Sequence, residues 1–225
     1  MSHLYLYALV DEAPSGPLGE GIAGEALRLV SCGGIAAIVG DQAERLQPDR
    51  GTIEGQDAVV RRLAAHFGAL LPARFGECLA DEAGLRERLE PRTRELAEAL
   101  ALVRGCVQMT LRVFGEPASE AVAKPVAGGG PGAHYLAARQ REQERARSLP
   151  EIDPLRDVLK PLLRAERIER HAAGILLGTA YHLVRREEAG AYLAVLEGLG
   201  GRIGGRRVAA SGPWPPYAFA PGDTP

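Results

Sequence analysis

The sequence predicts an α+β protein built as two small domains, and three observations carry that expectation. Two short apolar runs, Leu27–Cys32 and Ile35–Val39, flank Gly33-Gly34. This is hairpin chemistry, because the favoured two-residue turns need positive φ. Val107, Met109, Leu111 and Val113 alternate with Gln108, Thr110 and Arg112, the pattern of a half-buried strand. Residues Gly115 to Ala133 hold three prolines and five glycines with few large apolar groups, the composition of a linker. The expected division is therefore 1–114, a linker at 115–133, and 134–225.

Along the chain, His3–Val10 reads as a strand, with Leu4, Leu6, Ala8 and Val10 on one face and Tyr5, Tyr7 and Leu9 on the other. Pro14 to Gly19 break it. From about Thr52 to Leu71, Val59, Leu63, Phe67 and Leu70 recur at three- and four-residue steps, which predicts an amphipathic helix closed by Pro72. Glu54 in its first turn suits the helix dipole. A short extended stretch, 73–76, follows. Asp81 is positioned to cap a helix through Leu89, and Pro91 begins another that runs to about Arg104 before Gly105.

Beyond the linker, a polar helix is expected from His134 to Ser148, and a further one from Leu155 to about His171. Leu176–Arg185 alternates like a strand. Glu187–Leu199 reads as a helix, and Arg206–Ser211 as a last strand. Strand, helix and strand at such short spacing make a second α+β unit. Three prolines in Gly212–Tyr217 lack ladder donors, so the tail is expected to stay outside any sheet.

Composition excludes several classes. The 225 residues are 46% apolar and 25% charged, ordinary for a globular protein. No stretch reaches the roughly 18–20 apolar residues of a membrane helix. The N-terminus lacks the charge and apolar run of a signal peptide, so a cytoplasmic location is expected. Net charge is −2, which predicts neither nucleic acid nor membrane as a partner. Three separated cysteines, Cys32, Cys78 and Cys106, read as reduced thiols rather than a disulfide or zinc framework.

No motif with catalytic spacing emerges. Gly128–Gly132 lacks the Lys-Ser or Lys-Thr of a phosphate loop. The five histidines show no metal-binding pair, no Gly-x-Ser-x-Gly elbow occurs, and no cofactor is implied. His182 reads as a hydrogen-bonded structural histidine. Glu142, Glu144, Glu166 and Glu169 read as solvated faces of charge-mixed helices. Arg139, Arg141, Arg145 and Arg147 are interleaved with acids and read as surface ion pairs.

Two segments stand out. Leu70–Glu77 places Arg74 and Phe75 between proline and glycine at the end of an apolar helix. Ser211–Phe219 carries the only tryptophan, Trp214, with Tyr217 and Phe219 in a stiff, proline-rich chain. Arginine and aromatics concentrate in interface hot spots, so these five are candidate partner-binding residues. The bland alternative keeps Phe75 in the core, has Arg74 pair with a carboxylate or cap carbonyls, and docks the tail on the protein itself.

These segments also carry a family likeness. Leu4–Val10, the Gly33–Val39 hairpin, Leu71–Gly76, Gly105–Val113, Tyr135–Arg139 and above all Ser211–Phe219 resemble, in order, the gas-vesicle accessory proteins of the GvpF/GvpL family. The sequence departs from the family pattern at Gln56 and Gln108, where many members carry His and Glu, which tells against acid–base roles there. The resemblance implies a ferredoxin-like N-terminal domain joined to a second α+β domain against which the tail packs. It also implies a non-catalytic gas vesicle assembly protein that contacts the apolar shell protein and other accessory proteins. Two rivals remain. A small-molecule enzyme or sensor in the interdomain cleft requires a buried polar cluster with shifted pKa values. An RNA-binding module requires exposed sheet aromatics such as Tyr5 and Tyr7.

Overall fold

The computed structural model describes residues 3–11, 14, 16–116, 148–171 and 173–222. The expected linker beyond Glu116, the polar helix 134–147, the glycine run and the basic stripe lie outside them. Tertiary contacts group the chain into two units, Met1–Gln108 with Pro213–Pro225, and Met109–Gly212. The tail, expected within the second domain, thus groups with the first unit. The first division falls inside a continuous strand, Cys106–Phe114, so no change of composition marks it.

The first unit holds β1 (His3–Val10), β2 (Arg28–Cys32), β3 (Ile35–Gln42), α1 (Arg50–Ala64), β4 (Leu70–Pro72), β5 (Cys78–Leu79), α2 (Glu82–Leu89) and α3 (Thr93–Val103). Its antiparallel sheet runs β2-β3-β1, and both β4 and β5 pair with the other edge of β1. The β2–β3 turn is built as expected, with Gly33 at φ 60° and Gly34 at φ 99°. Among the described residues, β1 reaches β2 without a helix. That is the one step at which the start of the unit departs from the βαββαβ order of a ferredoxin-like domain.

The strict alternation expected in β1 breaks where its register against β3 shifts between Leu6 and Ala8. This bulge brings Tyr5, Tyr7, Ala8 and Val10 into one cluster with Ile38, Val59, Val60, Leu63, Phe67 and Leu70. Residues of α2 and α3 are buried outside that cluster: Leu85, Leu89, Leu96, Leu100 and Val103. Both faces of the sheet are therefore covered, and β1 is buried from Leu4 to Val10.

Helix α1 starts at a capping box. The Thr52 N–H donates to Asp49 Oδ1 at 2.9 Å, and the Asp49 N–H donates to Thr52 Oγ1 at 3.2 Å. Glu54 lies beyond the first turn and pairs with Arg50 at 2.7 Å. The helix ends at Ala64, not Leu71, and Leu70–Pro72 form a strand on β1. A short apolar run such as Ala69-Leu70-Leu71 fits either period; the open edge of β1 decides the outcome. Asp81 caps α2 as expected, accepting from the Gly84 N–H at 2.9 Å.

The second unit holds most of β6 (Cys106–Phe114), α4 (Asp153–Leu159), β7 (Leu163–Arg170), β8 (Leu176–Arg185), α5 (Ala189–Glu197), β9 (Arg202–Ile203) and β10 (Arg206–Trp214). Sheet order is β7-β8-β6-β10-β9. Three expectations change here. The helix expected through His171 stops at Leu159, a single 3-10 turn carries Pro161, and β7 begins at Leu163. β6 is buried on both faces from Cys106 to Leu111, including Gln108 and Thr110, rather than half-buried. β10 continues through Pro213 to Trp214. β9 pairs only Arg206 and Arg207, so among the described residues the rest of that side of β10 is an edge, where a missing N–H is tolerated.

Cys32 and Cys106 are buried, Cys78 is partly buried, and all three stand outside any disulfide. Among the described residues no helix is long and apolar enough to cross a membrane.

Candidate partner-binding site

The outer edge of β1 builds the first site. Ala73–Glu77 stays tied to that edge between β4 and β5: the Ala73 N–H donates to Tyr7 O, and the Leu6 N–H to Glu77 O, each at 2.9 Å. Between these ties, Arg74-Phe75-Gly76 bows outward. The Tyr5 hydroxyl donates to Gln56 Oε1, and the Gly76 N–H donates back to that hydroxyl at 3.0 Å. Gln56 Nε2 holds Ala73 O at 3.1 Å. Gly76 has φ 80°, a conformation that suits glycine. Burial raises the Tyr5 phenol above its usual pKa, so it remains a neutral donor. Phe75 meets the Tyr5 ring edge-on at 6.5 Å. The loop is held by a buried neutral network.

The tail docks beside it. Arg61 lies over the Trp214 ring at 4.1 Å, and the Tyr217 hydroxyl donates to Asp57 Oδ1 at 3.0 Å. The Ala218 N–H donates to Gln108 Oε1 at 2.7 Å, and Arg92 reaches Gly222 O at 3.0 Å. Burial foremost, then the Asp57 carboxylate, pushes the Tyr217 phenol up.

Between loop, helix and tail opens a pocket of about 480 Å³, with Ile53, Ala73, Phe75, Trp214 and Tyr217 as its apolar lining. Ile53 is 48% exposed. Four of the five candidate residues, Arg74, Phe75, Trp214 and Tyr217, thus meet at one place. Phe219 does not join them: at 2% exposure it is a core residue that anchors the tail. Arg74 is exposed and, among the described residues, no carboxylate pairs with it.

The second unit contains a cluster that sequence reasoning missed. His182, 1% exposed, has its Nδ1 2.6 Å from the Tyr192 hydroxyl and its Nε2 3.1 Å from Glu166 Oε1. Glu166 also receives Arg156 at 3.2 Å, and Arg156 pairs with Asp153 at 2.7 Å. The His182 hydrogen bond, ahead of Arg156, holds the Glu166 carboxyl below its ordinary pKa. Burial drives the Tyr192 phenol up. His182 thus behaves as expected, whereas Glu166 is not a solvated face. A cavity of about 380 Å³ adjoins the cluster, yet both His182 nitrogens are committed and Tyr192 is fully buried. Tyr5 and Tyr7 are completely buried too, which removes the stacking face an RNA-binding module needs. Among the described residues no group of His, Cys, Asp and Glu is arranged to hold a metal ion.

Fold and pocket together define an α+β protein whose first unit carries an open pocket with a largely apolar lining. Its sequence matches the family profile described as gas vesicle synthesis protein GvpL/GvpF over residues 3–221. Gas vesicle protein L of Streptomyces sp. (strain CB03234) is 28% identical, with 96% of this chain and 92% of that protein covered. Gas vesicle protein F of the same strain is 26% identical, covering 96% and 98%. The fold matches the crystal structure of GvpF from Anabaena sp. PCC7120 with a TM-score of 0.74 at 17% identity, over 100% of this chain and 98% of that one. GvpF from Microcystis aeruginosa gives 0.73 at 18% identity, over 97% and 99%. The chain belongs to the GvpL/GvpF family of gas vesicle proteins.

Proposed function

We propose that this protein assists gas vesicle assembly without catalysis. It binds the small, apolar shell protein in the cytoplasm, together with other accessory proteins, as a chaperone or as a minor component of the vesicle. The observation that carries this reading is the open apolar pocket framed by Phe75, Trp214 and Tyr217. Its walls are held in place by the Tyr5–Gln56 network and the docked tail. Half-buried aromatics around an open apolar cavity are the usual lining of a binding pocket. A very apolar subunit released into water associates indiscriminately unless its surface is shielded until incorporation. A preformed pocket supplies that shielding with little ordering cost.

The test is retention of shell protein on the immobilised full chain, run beside a deletion strain. Shell protein is expected to be retained by the wild type and lost with Phe75→Glu, and vesicles are expected to be missing without this chain. Recovery of nothing, with vesicles still forming, overturns the reading. Quantification of this chain in purified vesicles separates chaperone from resident component.

A further inference from the structure

Taking the binding reading above as its basis, we infer that the pocket selects an acidic amphipathic segment. The apolar side chains of that segment fill the cavity, and its carboxylate pairs with Arg74. The argument starts from which polar groups in the lining are already satisfied. Glu54 pairs with Arg50 at 2.7 Å. Asp57 is shared between Arg61 at 2.6 Å and the Tyr217 hydroxyl at 3.0 Å. Gln56 has its oxygen on Tyr5 and its nitrogen on Ala73 O.

Arg74 is the remaining charged lining group, exposed at the edge of the bowed loop and without a carboxylate among the described residues. An entering cation would meet a guanidinium and two carboxylates that already have partners. An entering anion meets a guanidinium that no carboxylate among the described residues holds, and its forked donors match a carboxylate. The five apolar walls exclude a purely polar ligand, because each would lose contact with water and gain no partner. A cavity of about 480 Å³ lies within the range that holds a ligand of a few large side chains. Charge therefore sets the choice of segment, and the apolar walls supply the attraction.

Trp214 is the single tryptophan of the chain and lines the pocket, so its emission reports occupancy directly. The full chain is titrated with two short Leu/Ala-rich amphipathic peptides that differ at one position, Glu in one and Lys in the other. The Glu peptide is expected to shift Trp214 emission and to bind about tenfold more tightly than the Lys peptide. That preference should shrink as salt is raised and invert in Arg74→Glu. Exposure of Arg74 makes this reversal safe for folding, and a thermal melt of the variant checks it.

Equal affinity for the two peptides, or a silent Trp214, overturns the inference. So does a preference unchanged in Arg74→Glu. Emission that shifts with protein concentration alone and resists both peptides shows a second copy in the pocket and also overturns it. If shell protein is retained while these peptides fail, the assembly role survives and only the acidic selectivity falls. Should the peptides bind as described while shell protein does not, the selectivity stands and the partner is another protein.

Discussion

In the first unit Tyr5 commits its hydroxyl to Gln56 and to the backbone of Gly76; in the second, His182 commits both ring nitrogens to side chains, Tyr192 and Glu166. Both clusters are buried and both include a tyrosine, yet they finish differently. The Tyr5 network ends on main-chain atoms at Ala73 and Gly76, so its effect is to hold a loop out toward solvent. The His182 network ends on the carboxylate and guanidinium of Glu166 and Arg156, so it ties α4, β7, β8 and α5 to one another. Where a buried polar network ends decides whether it shapes a surface or braces a core.

The largest effect should come from breaking the bracing cluster. His182→Ala leaves the Tyr192 hydroxyl without its partner and opens a cavity beneath β8. The expected loss is about 3 kcal/mol, read as a lower urea midpoint. A loss under about 1 kcal/mol would show that the cluster does not hold the unit together.

Acid sharpens the same point. Glu166 has a folded-state pKa below its unfolded value, held there by His182 and Arg156. Its contribution is therefore complete above the unfolded carboxyl value of about 4.3 and disappears as pH falls through the folded one. Glu166→Gln should consequently flatten the fall in stability between neutral and acidic pH, measured by urea unfolding across that range. A profile as steep as wild type would mean that other carboxylates carry the acid sensitivity.

The loop-holding network should be weaker. Tyr5→Phe keeps the ring against Tyr7 at 4.9 Å but strands Gln56 Oε1 and the Gly76 N–H. It should cost about 2 kcal/mol and speed exchange of the Gly76 amide far more than that of the β1 amides. Uniform acceleration across the sheet would show that Tyr5 braces the core just as His182 does.

Much of the first unit was legible in the sequence. The Gly33-Gly34 turn, the Asp81 cap and the break at Gly105 follow from local chemistry that tertiary packing does not override. The bulge in β1 was not legible, because one register shift brings Ala8 and Val10 onto the face of Tyr5 and Tyr7, and no residue type announces it. Leu70-Leu71-Pro72 reads as a helix end in the sequence because its apolar run fits either period, and only an open neighbouring strand distinguishes them. The same ambiguity hid the second cluster. With 163–170 taken as helix, Glu166 sat among solvated charges, whereas in a strand paired with β8 it lies opposite His182. The alternation of Leu163 and Ala165 after Pro161 was the available signal. Arg74, Phe75, Trp214 and Tyr217 could be picked out by residue type, but their convergence depends on the tail docking on α1. Gln56 and Gln108, noticed only as departures from the family pattern, hold the loop and the tail.

The smallest expected effect tests what anchors that tail. Arg61 is half-exposed and shared between Asp57 at 2.6 Å and the face of Trp214 at 4.1 Å. Arg61→Met keeps an unbranched apolar stem against the indole and removes the guanidinium. A cation over an exposed aromatic is worth about 0.5–1 kcal/mol, and a surface ion pair adds little to that. Asp57 keeps the Tyr217 hydroxyl, so the tail should remain docked and global stability should fall by no more than about 1 kcal/mol. Trp214 emission should nevertheless change, because a charge held against the only indole in the chain has gone. If emission moves to that of a fully solvated tryptophan, the guanidinium rather than Tyr217 and Phe219 is what holds the tail. The second wall of the pocket would then be no more fixed than a single surface contact allows.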